Sequence, residues 1–456
     1  MNIQASPITW KDQLSVNGNF FVFRSNPSER FYIKGIAFPV APGVNAEDII
    51  LGWIDILHQL REASPEINTI RIYQIWPSLD YSEFLQAAAD MGFYLIVPLT
   101  SMNGRGVLSR EKAAPKCYRR KLFNYGSSVI RDFGKFPNIL GYVLGNEVMN
   151  SLESWETAPC ILAYARDLKR EYPEVTLMYA MQHAGIGAAG EPSEAVKLTL
   201  DYMSECPEAS IDALGVNIES WCSSKQTFDH NPDGSIGTYK ELYQHLNHSK
   251  IPLFFSELGC SKDDFNRDNE LEKGYRDWKQ VHSILGSDMI DRWSGFVAYA
   301  YDGPLDFKMT LGGRWDGNNT LEFSKDMENY VNELDALDIK YEYHGVSNHT
   351  SGTNTTHSIT DFCPDSSPAS AALSSCCDID LLPVSKIPSY QSWSPATTSL
   401  LVLKCLAFLC LCFGIKSIFS KKVPNEKQPS SELDPDDAQK LLSSKNSEYQ
   451  TFQQQT

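Results

Sequence analysis

Two glutamates are placed for chemistry in this chain, each at the end of an apolar run. In ILGYVLGNEVMN (139–150) a strand-like stretch delivers the pair Asn146-Glu147 and then breaks into polar residues. IPLFFSELGC (251–260) does the same for Glu257, 110 positions later. A parallel barrel strand presents a carboxylic acid at its C-terminal end in this way. Cleavage of a glycosidic bond with retention needs two such groups, one to attack the anomeric carbon and one to protonate the departing oxygen. An Asn-Glu dipeptide by itself is a weak signal, and either glutamate alone reads equally well as a surface ion-pair partner. The strand context and the second strand-end glutamate raise the pair above that.

Other residue types exclude chemistries. The formal charge of −17 over 456 residues leaves no cationic face for nucleic acid, and the one basic cluster, Lys116 to Lys121, reads as a solvated helix face. No Cys or His pair has zinc spacing, so no metal and no cofactor is expected. A hydrophobic content of 42% suffices for a large core, and an aromatic content of 11% suits a sugar cleft as well.

The elements that must position the two glutamates recur along the chain. Strand-like runs occur at 31–38, 67–75, 94–99, 139–146, 176–181, 213–220, 252–258 and 295–301. Amphipathic stretches such as DIILGWIDILHQLREA and FLQAAADMGF lie between them. Eight strands alternating with helices predict an α/β fold, a (β/α)8 TIM barrel, with Glu147 and Glu257 ending the fourth and seventh strands. An open doubly wound sheet is disfavoured, because no glycine-rich phosphate turn follows the first strand. A hairpin is expected ahead of the barrel, with arms NFFVF and RFYIKGIAF and the turn SNPSE.

The organisation expected is an N-terminal extension (1–18), the catalytic barrel (19–344), a Ser/Thr/Pro-rich stalk (345–397), a single transmembrane helix (398–420) and a polar cytoplasmic tail (421–456). The stalk has little periodicity and reads as disordered or glycan-stiffened. Ser399 to Phe419 has the length and apolarity of a bilayer span, and Lys421 and Lys422 suit its cytoplasmic flank. A lipid-anchor signal would end in its apolar tail, so a membrane-spanning anchor is preferred over GPI. Sequons at Asn247, Asn318, Asn348 and Asn354 point to the secretory route, although MNIQASPITWKDQLSV has neither the charged start nor the apolar core of a signal peptide. The localisation expected is the plasma membrane, with the barrel outside.

The blocks GNEVMN, NIESWCSS and FFSELGC, together with YIKGIAF and NTIRIYQI, resemble the fungal β-1,3-glucanosyltransferases of glycoside hydrolase family 72 over roughly residues 19 to 305. The resemblance implies cell-wall remodelling by a retaining transglycosylase, with Glu147 as acid/base, Glu257 as nucleophile and β-glucan as partner. It implies that Asn146 binds the sugar 2-hydroxyl and that Tyr73 and Tyr299 line the donor site. It also suggests that Cys222 pairs with Cys260, and Cys206 with Cys363, although spacing cannot assign connectivity.

Arg71, inside the second strand, is a candidate for ordering the nucleophile, or else a paired interior charge. Asn217 is a candidate substrate contact. Trp76, Trp221, Trp293, Tyr299 and Tyr301 are candidate stacking surfaces for sugar rings, or else rim packing. The chain departs from the family where Glu219 replaces a tyrosine. It departs again at Phe38-Pro39, at Pro98 and at His183, and it lacks the cysteine-rich carbohydrate module of some members. An extra carboxylate at Glu219, near the nucleophile, is expected to raise the pKa of one of the two by like-charge repulsion. Two other readings stay open: a retaining β-glucan or mannan endo-hydrolase, and an inactive membrane-anchored glucan-binding protein.

Overall fold

The computed structural model describes residues 6–40, 44–101, 106–114, 116–151, 153–184, 191–204, 209–265 and 274–339. The expected stalk, membrane span and tail lie outside the described residues, as do Cys206 and Cys363. No helix among the described residues is long and apolar enough to cross a membrane.

Eight parallel strands close into a barrel. They are β4 (Ile33–Ala37), β5 (Thr69–Arg71), β6 (Tyr94–Pro98), β7 (Ile139–Asn146), β8 (Leu177–Gln182), β9 (Ala213–Ile218), β10 (Leu253–Leu258) and β11 (Trp293–Ala298). Each is a buried run of the kind the sequence pattern predicts, because a strand covered on both sides has no polar face to alternate. The helices follow the expected periodicity. In α1 (Ala46–Ala63) the buried face carries Ile49, Ile50, Trp53, Ile56, Leu57 and Leu60, and Asn45 caps its N-terminus by accepting from Glu47 N.

Three strands precede the barrel: β1 (Leu14–Asn17), β2 (Phe20–Phe23) and β3 (Asn26–Arg30) form an antiparallel sheet. The first arm of the expected hairpin, NFFVF, is β2 and a turn does follow it, at Arg24-Ser25, but the second arm is β3 and not RFYIKGIAF. A second tight turn, Gly18-Asn19, joins β1 to β2: Asn17 pairs with Phe20 and Gly18 adopts a φ of 58°, a conformation costly for other residues. The supposed turn SNPSE is mostly β3 itself. Four of its five residues are exposed and Pro27 is tolerated at the edge, so no apolar alternation marked it. The sheet therefore crosses the expected boundary between residues 18 and 19. It plugs the N-terminal end of the barrel: Phe21 packs edge-on against Phe254 and Phe31 against Tyr94, both near the starts of their strands. Arg30 donates to the carbonyls of Ile290 and Trp293 at the same end.

Two strand limits differ from expectation with consequences for the site. β5 leaves its ladder after Arg71, which frees Tyr73 to cross the mouth. β11 begins at Trp293, so this tryptophan lies at the plugged end, fully buried and stacked on Phe255 at 4.1 Å between ring centres. It is not a cleft aromatic.

Beneath the mouth, a buried ion pair holds the ends of β10 and β11. Arg276, 1% exposed, meets Asp326 in α8 (Lys325–Asp335) and donates to the carbonyls of Cys260, Tyr299 and Phe307. Removing one partner leaves an uncompensated charge in the interior. Asp326→Ala should therefore lower the unfolding free energy by about 3–5 kcal/mol, measured by denaturant titration.

Candidate active site

The C-terminal mouth of the barrel is organised around Arg71, the last residue of β5, whose guanidinium points inward and is 1% exposed. Nη1 donates to Glu257 Oε1 at 3.0 Å, to the Ser256 carbonyl at 2.6 Å and to Asn217 Oδ1 at 3.2 Å. Nη2 donates to Asn146 Oδ1 at 2.6 Å. Asn217 in turn donates through Nδ2 to Glu147 Oε1 at 2.7 Å and to Asn146 Oδ1 at 3.0 Å. The two glutamates are thus one Arg–Asn link apart. The fourth and seventh barrel strands bring together what 110 residues of chain separate.

Local backbone sets the aim of each group. Glu147 follows β7 with a φ of 49°, a left-handed conformation that costs a non-glycine residue on the order of 1–3 kcal/mol, held by its N–H donating to the Ala180 carbonyl. Asn217 is locked by Ser256, whose Oγ donates to Asn217 Oδ1 at 2.6 Å. Gly215 below them has no room for a methyl group, since a Cβ there would lie 2.5 Å from Ser256 Oγ. Tyr73 donates to Glu257 Oε1 at 3.0 Å, and burial holds its phenol well above the usual range, so it stays a donor.

The two carboxyls sit in unlike surroundings. Burial pushes Glu147 up to about 7, the charge of Glu257 adds to this, and the Asn217 amide and Arg110 only partly oppose it. Burial also raises Glu257, but there the Arg71 guanidinium and the Tyr73 phenol bind the ionised form directly. A shared proton therefore rests on Glu147.

Glu219 lies two residues beyond Asn217, on the same side of the chain and one layer further out, where it is exposed. Although solvent reaches it, the surrounding protein removes part of its hydration, and this first, then the charges of Glu257 and Asp306, raise its pKa. His183, after β8, contacts Ser193 Oγ at 3.3 Å, and burial pushes it down to about 4, so it is neutral near pH 7.

Of the aromatic candidates, Tyr73 and Tyr299 face the mouth and meet edge-on at 6.1 Å. Trp76 is partly exposed beyond β5. Trp221 and Tyr301 are not brought to the cleft. Trp221 is 5% exposed and packs edge-on against Tyr239 of α6 (Thr238–Leu246). Tyr301 is fully buried, donating to Gln59 of α1 at 2.7 Å and accepting from Leu321 N at 3.0 Å. Its apolar ring is used for packing, and its hydroxyl is already committed.

Cys222 and Cys260 form a disulfide that joins the loops after β9 and β10. A second disulfide, Cys117–Cys160, was not assigned from the sequence because five globular cysteines leave the pairing open. Sequence reasoning also missed Arg110, which donates to the Asn146 carbonyl at 3.3 Å and carries charge toward Glu147. It lies in an aperiodic stretch that no pattern singles out. Ser256 was visible inside SELG but had no assigned role.

With this geometry in view, a sequence-family model described as Glucanosyltransferase matches residues 6–338. Among curated proteins, the chain is 28% identical over 334 residues to Protein EPD1 of Candida maltosa, covering 72% of this chain and 55% of that one. It is 26% identical over 367 residues to the 1,3-beta-glucanosyltransferase GAS5 of Saccharomyces cerevisiae, covering 77% and 66%. The chain thus spans about half to two thirds of the length of these relatives. Among solved structures, a Saccharomyces cerevisiae Gas2p mutant in complex with laminaritetraose and laminaripentaose superposes with a TM-score of 0.60 at 24% identity, covering 74% of this chain and 72% of that one. At that identity the likeness speaks for the fold.

The raised carboxyl has a thermodynamic signature. Glu147's folded pKa of about 7 exceeds its unfolded value, so the stability linked to its proton is present below about pH 4.5 and is lost as pH rises through 7. Against wild type, Glu147→Gln should lose this component, on the order of 1–3 kcal/mol, when unfolding free energies are compared at pH 5 and pH 8.

Proposed function

The chain belongs to the glucanosyltransferase family, and from that premise we propose that it is a retaining β-1,3-glucanosyltransferase that cleaves a β-1,3-glucan chain and joins it to another. The observation that carries this reading is the Arg71–Asn217 link. It holds two carboxyls at one mouth while making one a hydrogen-bonded anion and the other an acid with a pKa of about 7. The naming of the curated relatives as 1,3-beta-glucanosyltransferases supports the substrate class.

In this mechanism a Glu257 oxygen attacks the anomeric carbon as the bond to the leaving glucan breaks. Arg71 and Tyr73 keep Glu257 ionised and aimed. Glu147 gives its proton to the departing oxygen, which leaves a glycosyl ester on Glu257 and a free glucan end. Glu147, now an anion, takes the proton of an incoming glucan hydroxyl, whose oxygen displaces Glu257 and restores both groups. Asn146, whose amide oxygen accepts from Arg71 and Asn217, binds the sugar's 2-hydroxyl in this scheme, and Asn217 is a further substrate contact. Tyr73 and Tyr299 offer the donor sugar an aromatic wall. The proposal extends to the whole chain: a barrel outside the plasma membrane, carried on the stalk 345–397 by the apolar segment 398–420, with the tail 421–456 in the cytoplasm. Its support is the composition of those segments.

Incubation with a defined β-1,3-oligosaccharide should yield elongated as well as shortened products by mass. Glu257→Gln should lower the rate by at least about a thousandfold, and only shortened products would mean hydrolysis instead. Because Glu147 must enter protonated, kcat/KM for the wild type should fall as pH rises through about 7.

A further inference from the structure

Arg110 is a charged group beside the acid/base to which the catalytic scheme gives no task. It lies in the segment 106–114, which follows β6 and is fixed against the end of β7. Gly106 packs on the Tyr125 ring of α3 (Arg120–Phe133), where a Cβ would lie 2.6 Å from the ring, and its carbonyl accepts from Ser101 N at 2.8 Å. The buried Leu108 meets Gly145, at which a Cβ would stand 3.5 Å from Leu108 Cδ2 and 3.4 Å from Tyr179 Cε2. From this platform the half-buried Arg110 donates through Nη2 to the Asn146 carbonyl at 3.3 Å, on the peptide that enters the left-handed turn at Glu147. Tyr179 of β8 holds the far side of the turn, its hydroxyl accepting from Met149 N at 3.0 Å.

The groups that act on Glu147 come from every side of the mouth. They are the Glu257 carboxylate of β10, the Asn217 amide of β9, the guanidinium groups of Arg71 and Arg110, and the phenols of Tyr179 and Tyr299. Burial pushes both phenols well up, so they carry no charge near pH 7. Two cations are left to favour the ionised carboxyl, and of these Arg110 acts on it more strongly than Arg71.

Glycoside cleavage makes that charge matter at one moment. As Glu147 passes its proton to the departing oxygen it becomes an anion in a largely dehydrated place, and a nearby cation lowers the cost of that change. Arg71 cannot be spared for this, since its donors are divided among Glu257, Ser256, Asn146 and Asn217. We propose that Arg110 is a positioning residue for the acid/base: its guanidinium anchors the Asn146–Glu147 turn and stabilises the negative charge that forms on Glu147 as the leaving glucan takes its proton. The catalytic half of this inference rests on the function proposed above, whereas the influence of Arg110 on Glu147 is a property of the free protein.

The test compares Arg110→Gln and Arg110→Lys with the wild type in the full chain. Carbon-13 NMR of glutamate-labelled protein reads the Glu147 carboxyl directly, its signal identified by its absence in Glu147→Gln. Its titration midpoint, about 7 in the wild type, should rise by about 0.5–1 pH unit in Arg110→Gln and stay close to wild type in Arg110→Lys, which keeps the charge. A weaker acid protonates its leaving group more slowly, so kcat/KM for a β-1,3-oligosaccharide should fall about three- to tenfold in Arg110→Gln, with the basic limb of its pH profile displaced upward. A dinitrophenyl β-laminarioligoside, whose leaving group departs without a proton, should lose less than about twofold. If Arg110→Gln fails to fold, Arg110→Met, which keeps the aliphatic stem without the charge, replaces it. An unmoved titration midpoint, an equal shift in Arg110→Lys, or equal losses on the two substrates would overturn the proposal and leave Arg110 a structural anchor. A wild type without glucan cleavage would sink the proposed function instead, and the carboxyl titration would still decide what Arg110 does to Glu147.

Discussion

The mouth of this barrel depends on one buried guanidinium. Arg71 is almost without solvent, and an isolated charge there would cost several kcal/mol. It is kept because four acceptors on three other strands converge on it: Asn146 from β7, Asn217 from β9, and Ser256 and Glu257 from β10. Each acceptor is positioned by the need to satisfy the same cation. The requirement that fixes Glu257 therefore also fixes Asn217, and through Asn217 it fixes Glu147. The ring of strands closes from β4 round to β11, and the contacts of Arg71 with β7, β9 and β10 cross its interior.

The two carboxyls differ by their partners rather than by their depth. Glu257 receives a cation and a phenol, whereas Glu147 receives an amide and sits on a strained left-handed turn. Strain of this kind persists only where the surroundings over-determine it. Here the surroundings are a β7 strand buried on both faces and a backbone bond to β8. The loops above are held separately, by Cys222–Cys260 across β9 and β10 and by Arg276 under the ends of β10 and β11. Glu219 adds a third carboxylate further out, where partial loss of hydration, and after it the charges of Glu257 and Asp306, raise its pKa.

Much of this was legible in the sequence because parallel barrel strands are apolar runs of the right length, and all eight were found within a few residues. Glu147 and Glu257 were legible because a carboxylate directly after such a run has nowhere to point but the mouth. What was not legible depended on long-range packing. The strand NPSER has no apolar face, so it read as part of the turn, and β1 with its Gly18-Asn19 turn lay just ahead of the predicted hairpin. Trp293 precedes the expected strand 295–301 and opens the observed one, so it belongs to the N-terminal end on either reading; lying beside a strand end marks a cleft aromatic only at the C-terminal end. Tyr301 was read as a sugar platform, but its hydroxyl is taken by Gln59, a helix residue 242 positions away. Arg110 belongs to an aperiodic stretch, where side-chain direction follows from long-range packing that spacing alone does not reveal.

The most direct measurement of the central claim is to trap the covalent intermediate. The chain would be incubated with an activated 2-deoxy-2-fluoro-β-glucoside, digested, and the labelled peptide read by mass spectrometry. The account predicts one added sugar, carried on Glu257. A label on Glu147 or Glu219, or turnover of β-1,3-oligosaccharide with no residue ever labelled, would contradict it.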